Sequence, residues 1–235
     1  MMDVTPLKGL DPFDIFDAEA ARLEAYFSGL TEQEWNRPSR CAGWSVRDVL
    51  GHLAGEELYN QACLDGDLAG LFAALEKEGV NDLTSFNEWC VATRRQVPVE
   101  QVLQEWRDKN GDTRRRMRER GMDATLLTMV GEYPVGLQTF HYSSEYATHA
   151  DDVGVPVAAE EEPGRSEWRA RVGLFALSEK KTPVRVEQIG DRYRVRLGEQ
   201  SADLSRGEFI AATVARLPDD HPLPSALRTA LRCLA

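Results

Sequence analysis

The stretch TFHYSSEYATHADD places His141, Glu145 and His149 at four-residue intervals and Asp152 three residues after the last. On a helix such residues share one face, so Glu145 and His149 project side by side with Asp152 on the same stripe and His141 one turn before. Imidazole nitrogens and carboxylate oxygens are ligands of divalent metals. Two of them at i and i+4 can hold an ion from one helix, and a third must come from elsewhere. The chain has only four histidines. Of the remaining two, His221 lies in a proline-rich loop. His52 lies mid-helix in GWSVRDVLGHLAGEEL among Val49, Leu50 and Leu53, a core-facing setting of the kind in which helical bundles build metal sites. The economical site is His52, Glu145 and His149, with positions left open for water or substrate and with Asp152 or His141 orienting the ligands from behind. Plainer readings compete with it. A single core histidine is more commonly a satisfied packing or capping residue, and Glu145 with His149 also describes an ordinary ion pair on a solvated face. Cys41 could serve as a nucleophile or as a small apolar filler.

Helices must carry these groups. Asp11 and Pro12 form a start signal, a capping residue followed by proline at the first helical position. Apolar residues then recur at three- and four-residue spacing from Phe13 to Leu30. Thr31 with Glu34 caps a short turn ending near Trp35, and Ser45 with Asp48 starts a helix running from Val46 to about Cys63. Further helices are expected over Leu68–Lys77, Leu83–Arg95, from Pro98 to about Arg120, and from Gly136 to Val153. The stretch Gly154–Glu167 is rich in Gly, Pro and Glu and reads as a linker. Beyond it a helix to Glu179, a hairpin turning at Gly190-Asp191, a short strand near Ala202–Leu204 and two helices complete a smaller unit. The fold class expected is mainly α: a four-helix bundle over residues 1–155 and a small α+β domain over residues 166–235.

Composition narrows the function. The net charge of −11 speaks against nucleic acid as a partner, and the basic run Arg114–Arg120 reads as a solvated helix end. No run approaches the roughly 18 apolar residues of a membrane span. The N-terminus is acidic, with no basic segment leading into an apolar one, so no signal peptide and a cytoplasmic location are expected. Four well-separated cysteines with no C-x-x-C pair read as reduced thiols. There is no Gly-x-Ser-x-Gly motif to support a serine hydrolase.

The segment EWNRPSRCAGWSVRDVLGHLAG, Glu34 to Gly55, resembles the N-terminal motif of the mycothiol-dependent maleylpyruvate isomerase family, within the DinB-like superfamily. Its pieces are a tryptophan, a Pro-Ser-x-Cys-x-Gly-Trp turn and a helix carrying Gly-His-Leu. A second family motif, Glu-x-x-x-His-x-x-Asp, is matched by Glu145, His149 and Asp152. The resemblance extends over the order of elements in most of the chain. It implies a DinB-like bundle binding a divalent metal, in this family usually zinc, through His52, Glu145 and His149. It also implies mycothiol as the thiol cosubstrate, and a C-terminal domain that helps form the pocket and supplies an arginine. Arg206, Arg216, Arg228 and Arg232 are the choices for that arginine, with Arg216 and Arg228 singled out; no motif fixes which. His141 lies outside the family motif.

The chemistry expected is metal activation of a small thiol toward an electrophilic small molecule. Thiolate, not thiol, is the nucleophile, and zinc deprotonates a coordinated thiol. Addition to a cis double bond conjugated to a carbonyl allows rotation and elimination to the trans isomer; displacement of a leaving group would make the enzyme an S-transferase instead. Two alternatives stand beside this reading. One is a zinc-dependent hydrolase, with Glu56 one turn after His52 as base. The other is a non-catalytic metal-binding regulatory protein, for which a closed four-ligand site would be the mark.

Overall fold

The computed structural model describes residues 3–234, and these divide into two compact units. Pro12–Val155 forms the larger one. The segments before Pro12 and after Val155 form the other.

The larger unit is a helical bundle. Its four long helices are α1 (Pro12–Ser28), α3 (Val46–Asp65), α6 (Val99–Arg120) and α7 (Val135–Val153); the short α2 (Glu32–Trp35), α4 (Leu68–Lys77) and α5 (Leu83–Ala92) fill the connections. The capping boxes expected from sequence form. Ser45 Oγ accepts from the backbone N–H of Asp48, while the Asp48 carboxylate accepts from Ser45, and Thr31 with Glu34 does the same for α2. Helix α7 stops at Gly154, whose φ of +80° is left-handed backbone open to glycine at little cost. The core is formed by Phe16, Leu23, Phe27, Val49, Leu50, Leu53, Trp106 and Tyr146, all 2% exposed or less.

Polar groups also sit inside it. The Glu57 carboxyl on α3 is fully buried and accepts from Asn110 Nδ2 at 2.9 Å, Tyr146 Oη at 2.7 Å and Thr113 Oγ1 at 2.6 Å. Tyr146 Oη in turn accepts from Trp106 Nε1 at 2.9 Å. One network thus ties α3, α6 and α7 together, and it satisfies the buried groups that would otherwise oppose burial.

Three features depart from the sequence reading. Between α6 and α7 stands an antiparallel hairpin, β1 (Thr125–Thr128) with β2 (Gly131–Pro134), where no strand was expected. Four residues per strand give too little alternation to stand out. The expected linker is shorter, because α8 (Glu162–Glu179) begins within it. Pro163 falls in the first turn, where its missing N–H costs nothing, so the Pro-Gly pair does not interrupt the helix. Finally, the residues leading up to Asp11, which the sequence reading counted with the bundle, pack in the smaller unit: Arg171 of α8 donates to the carbonyl of Pro6 at 2.7 Å.

In that smaller unit α8 is followed by β3 (Arg185–Ile189), β4 (Arg192–Leu197) and β5 (Gln200–Ser205), an antiparallel meander in the order β3-β4-β5, and by α9 (Arg206–Thr213) and α10 (Ser225–Leu231). Gly190, at φ +63°, makes the turn that the Gly-Asp pair indicated. Tyr193 stacks on Phe209 with ring centroids 4.4 Å apart to seat α9 on the sheet. Among the described residues no helix is long and apolar enough to cross a membrane.

Candidate functional site

Helix α3 carries His52 and helix α7 carries Glu145 and His149; in the bundle the two helices face each other at this level. One donor atom from each of His52, Glu145 and His149 lies within 4.8 Å of the others. His52 Nε2 is 3.2 Å from Glu145 Oε1, and His149 Nε2 is 3.8 Å from the same oxygen. The two imidazole rings stand edge to face, with centroids 4.9 Å apart. His52 and His149 are 3% and 7% exposed, whereas a third of the Glu145 side chain faces solvent. The group is therefore walled on the histidine side and open on the glutamate side.

Each ring is oriented differently. His149 Nδ1 is 3.2 Å from Asp152 Oδ2, so a carboxylate fixes the ring and leaves Nε2 facing Glu145. His52 Nδ1 is buried with no hydrogen-bond partner. Its ring is held by packing instead, against Trp44, 5.2 Å between centroids. That tryptophan ends a tight loop built on residues 38–45. Ser39 N donates to the Trp44 carbonyl at 2.9 Å, Gly43 adopts φ +80°, and Arg40 N donates to the Asp152 carbonyl at 2.9 Å, pinning the loop to α7.

The loop also delivers Cys41, and not as an apolar filler. Its Sγ donates to Asp152 Oδ2 at 3.1 Å and lies 3.8 Å from His149 Nδ1. Sequence reasoning missed this contact because loop and helix are 111 residues apart. The Pro-Ser-x-Cys spacing was the only signal, and it says nothing about direction.

The charges follow from these neighbours. Burial raises the Glu145 carboxyl, but hydrogen bonds from His52 and Glu56 and the nearby imidazoles outweigh it and bring the group down to about 2. Burial alone would lower His149; the Asp152 and Cys41 contacts and the Glu145 charge reverse this and raise it to about 9. His52 is lowered, first by burial and then by the His149 charge, against the Glu145 hydrogen bond. Glu56, 4.0 Å from His52 Nε2, is held well above the carboxylate range by burial and by the charge of Glu145. In the metal-free protein it hydrogen-bonds Glu145.

One residue named from sequence, His141, lies away from the group. His141 faces the hairpin, with Nε2 3.2 Å from Tyr133 Oη, and belongs to neither cluster of candidate ligands among the described residues. A helix rises about 1.5 Å per residue, which sets His141 two turns from His149 and one from Glu145. Arg228 is in the smaller unit, and its guanidinium donates to the carbonyls of Leu217, Pro218 and His221, closing the loop before α10. Arg216 belongs to the same unit, where Nη1 donates to the Val214 carbonyl at 3.4 Å.

Two histidines and a glutamate, with a face left open, are the donor set that catalytic zinc sites favour. The family model described as mycothiol maleylpyruvate isomerase N-terminal domain matches residues 16–154. Among curated proteins no significant match is found. Two solved structures are similar in fold. The crystal structure of the mycothiol-dependent maleylpyruvate isomerase superposes with a TM-score of 0.59 at 13% identity, covering 88% of this chain and 89% of that one. A mutant form of that enzyme gives 0.50 at 14% identity, covering 72% and 67%.

Proposed function

Because this chain belongs, through residues 16–154, to the mycothiol maleylpyruvate isomerase N-terminal domain family, we propose that it is a metal- and thiol-dependent isomerase. Its substrate class is a small electrophile with a cis double bond conjugated to a carbonyl, and mycothiol is its cosubstrate. The observation that carries the reading is the convergence of His52, Glu145 and His149 in a pocket walled on one side and open on the other. The donor set suits a divalent ion, zinc first, with His52 Nε2, a Glu145 oxygen and His149 Nε2 as ligands. Such an ion supplies the Lewis acidity that keeps a small thiol in its thiolate form at neutral pH.

The chain's own groups do the rest. Asp152 holds the His149 tautomer that presents Nε2, and Trp44 keeps the His52 ring from turning. The buried His52 and His149 rings keep water from one side of the group. Glu56, with Oε2 4.0 Å from His52 Nε2, borders the same ligand group. Reversible addition of the thiol converts the double bond to a single one, rotation follows, and elimination returns the trans isomer with the thiol unchanged.

Metal-free and zinc-loaded protein, assayed with a panel of small thiols against a cis-enone acid, tests the proposal. Turnover should require both zinc and an added thiol, with mycothiol the most effective, and should survive Cys41→Ser. Zinc content equal in wild type and His52→Ala would overturn the ligand assignment. Turnover without any small thiol, abolished by Cys41→Ser, would make the protein a cysteine enzyme instead.

A further inference from the structure

A second trio of ligands shares His149 with the first. Cys41 Sγ, Asp152 Oδ2 and His149 Nδ1 are 3.1, 3.2 and 3.8 Å apart pairwise. A tetrahedral ion with sulfur at about 2.3 Å and nitrogen and oxygen at about 2.0–2.2 Å needs donors separated by roughly 3.3–3.7 Å. The observed spacings are each within about half an ångström of that zinc-sized geometry, and a larger ion such as cadmium needs the Cys41 and Asp152 donors to part further. The cluster is built rather than incidental. The Asp152 side chain is fully buried, Cys41 comes from a loop pinned to α7 through Arg40 N and the Asp152 carbonyl, and both aim at the same ring nitrogen. Cys41 itself is partly exposed, which leaves an approach from solvent.

We propose that Cys41, Asp152 and His149 Nδ1 form a second metal position, selective for thiophilic cations such as cadmium, which competes with the His52–Glu145–His149 position for the shared imidazole. The competition is a matter of one proton. A neutral imidazole carries a single N–H. With an ion on Nε2 the proton sits on Nδ1 and is donated to Asp152. With an ion on Nδ1 it sits on Nε2, facing Glu145 Oε1 at 3.8 Å. Binding at the second position releases the Cys41 S–H proton and the His149 Nδ1–H proton to solvent as the two bonds to the metal form, and leaves the ring's other proton on Nε2. Ligand softness then chooses the position: nitrogen and oxygen donors alone suit zinc, while thiolate draws cadmium. A soft cation would thus pull His149 away from the first position and inactivate the protein without touching His52. The inference goes beyond the proposed function: the competition rests on that reading, whereas the Cys41–Asp152–His149 position itself does not.

Titration of metal-free protein with cadmium alone tests it. Wild type should show the ultraviolet cadmium–thiolate charge-transfer band, and X-ray absorption at the cadmium edge should find one sulfur in the ion's shell. Cys41→Ser should lose the band and the sulfur, with cadmium affinity down about 100-fold, the upper end of what losing even an outer-sphere partner costs. Zinc affinity in the same variant should fall less than about 10-fold. His52→Ala should keep the cadmium band and lose tight zinc binding. No sulfur around cadmium in wild type would overturn the proposal, and so would a band that persists in Cys41→Ser. If zinc binds through His52 while cadmium finds no sulfur, the second position fails and the first stands. If cadmium finds sulfur while His52→Ala leaves zinc affinity intact, the first fails and the second stands.

Discussion

Zinc binding should release a proton from His149, and the pH dependence of affinity should reveal it. In the metal-free protein burial disfavours the imidazolium, yet Asp152 at 3.2 Å, Cys41 and Glu145 hold His149 charged up to about 9. A ligand imidazole must be neutral, so the ion competes with that proton. The other two proposed ligands add no proton to the exchange near neutrality: Glu145 is ionised down to about 2 and His52 is lowered. Below the His149 pKa, affinity should therefore fall about tenfold, or 1.4 kcal/mol, per pH unit. Between pH 6 and pH 8 this gives a rise of about 100-fold, against about fourfold for a histidine at its ordinary value. Competition with a chelator of known pH behaviour measures the change. Calorimetry in buffers of different ionisation enthalpy counts the protons, and close to one per ion is expected at pH 7. Asp152→Asn removes the contact that raises the ring most, and should flatten the slope toward the fourfold case. A wild-type rise below about fivefold would refute the argument, because His149 would then be either neutral in the metal-free protein or no ligand.

Three further outcomes follow from the packing. Glu57→Ala strands the buried donors of Asn110, Thr113 and Tyr146, and should cost about 3 kcal/mol in chemical denaturation. Gly55→Ala places a Cβ within 2.5 Å of Cys90 Sγ and 2.9 Å of Arg94 Nη1, and should lower stability by about 1–3 kcal/mol through separation of α3 and α5. His141→Ala should retain full zinc content by elemental analysis and lose about 1 kcal/mol of stability with its Tyr133 contact.

The bundle was legible because its signals are local and periodic. Ser45 with Asp48, Thr31 with Glu34 and Ser205 with Glu208 each announce a helix start within four residues, and each forms the reciprocal cap. The β1–β2 hairpin was not legible, since TLLT and GEYP are too short to show a period and the turn at Met129-Val130 carries no Asn-Gly signal. At the site, Glu145 and His149 could be paired from spacing because a helix fixes their neighbourhood. That His52 faces them depends on how α3 packs on α7, and only its scarcity among four histidines and its apolar surroundings hinted at it. The direction of Cys41 was out of reach, being set by a loop whose anchor is a backbone carbonyl at the far end of α7.

The Glu57 network has a consequence for which structures this sequence can reject. Apolar side chains are interchangeable to a first approximation, and two helices lined with leucine and valine can slide past each other by a turn, 5.4 Å, and still bury hydrocarbon. The carboxyl of Glu57 cannot be satisfied that way, because its partners come from two other helices at fixed heights. A slipped α3 would leave it among methyl groups, so misregistered bundles are penalised by several kcal/mol each. The same slip would carry His52 a full turn away from Glu145. The buried carboxyl thus acts as a ruler for the ligand set: an alternative packing that fails to seat Glu57 is also one that cannot assemble the three donors, and the population of chains competent to take up an ion is selected before any ion arrives.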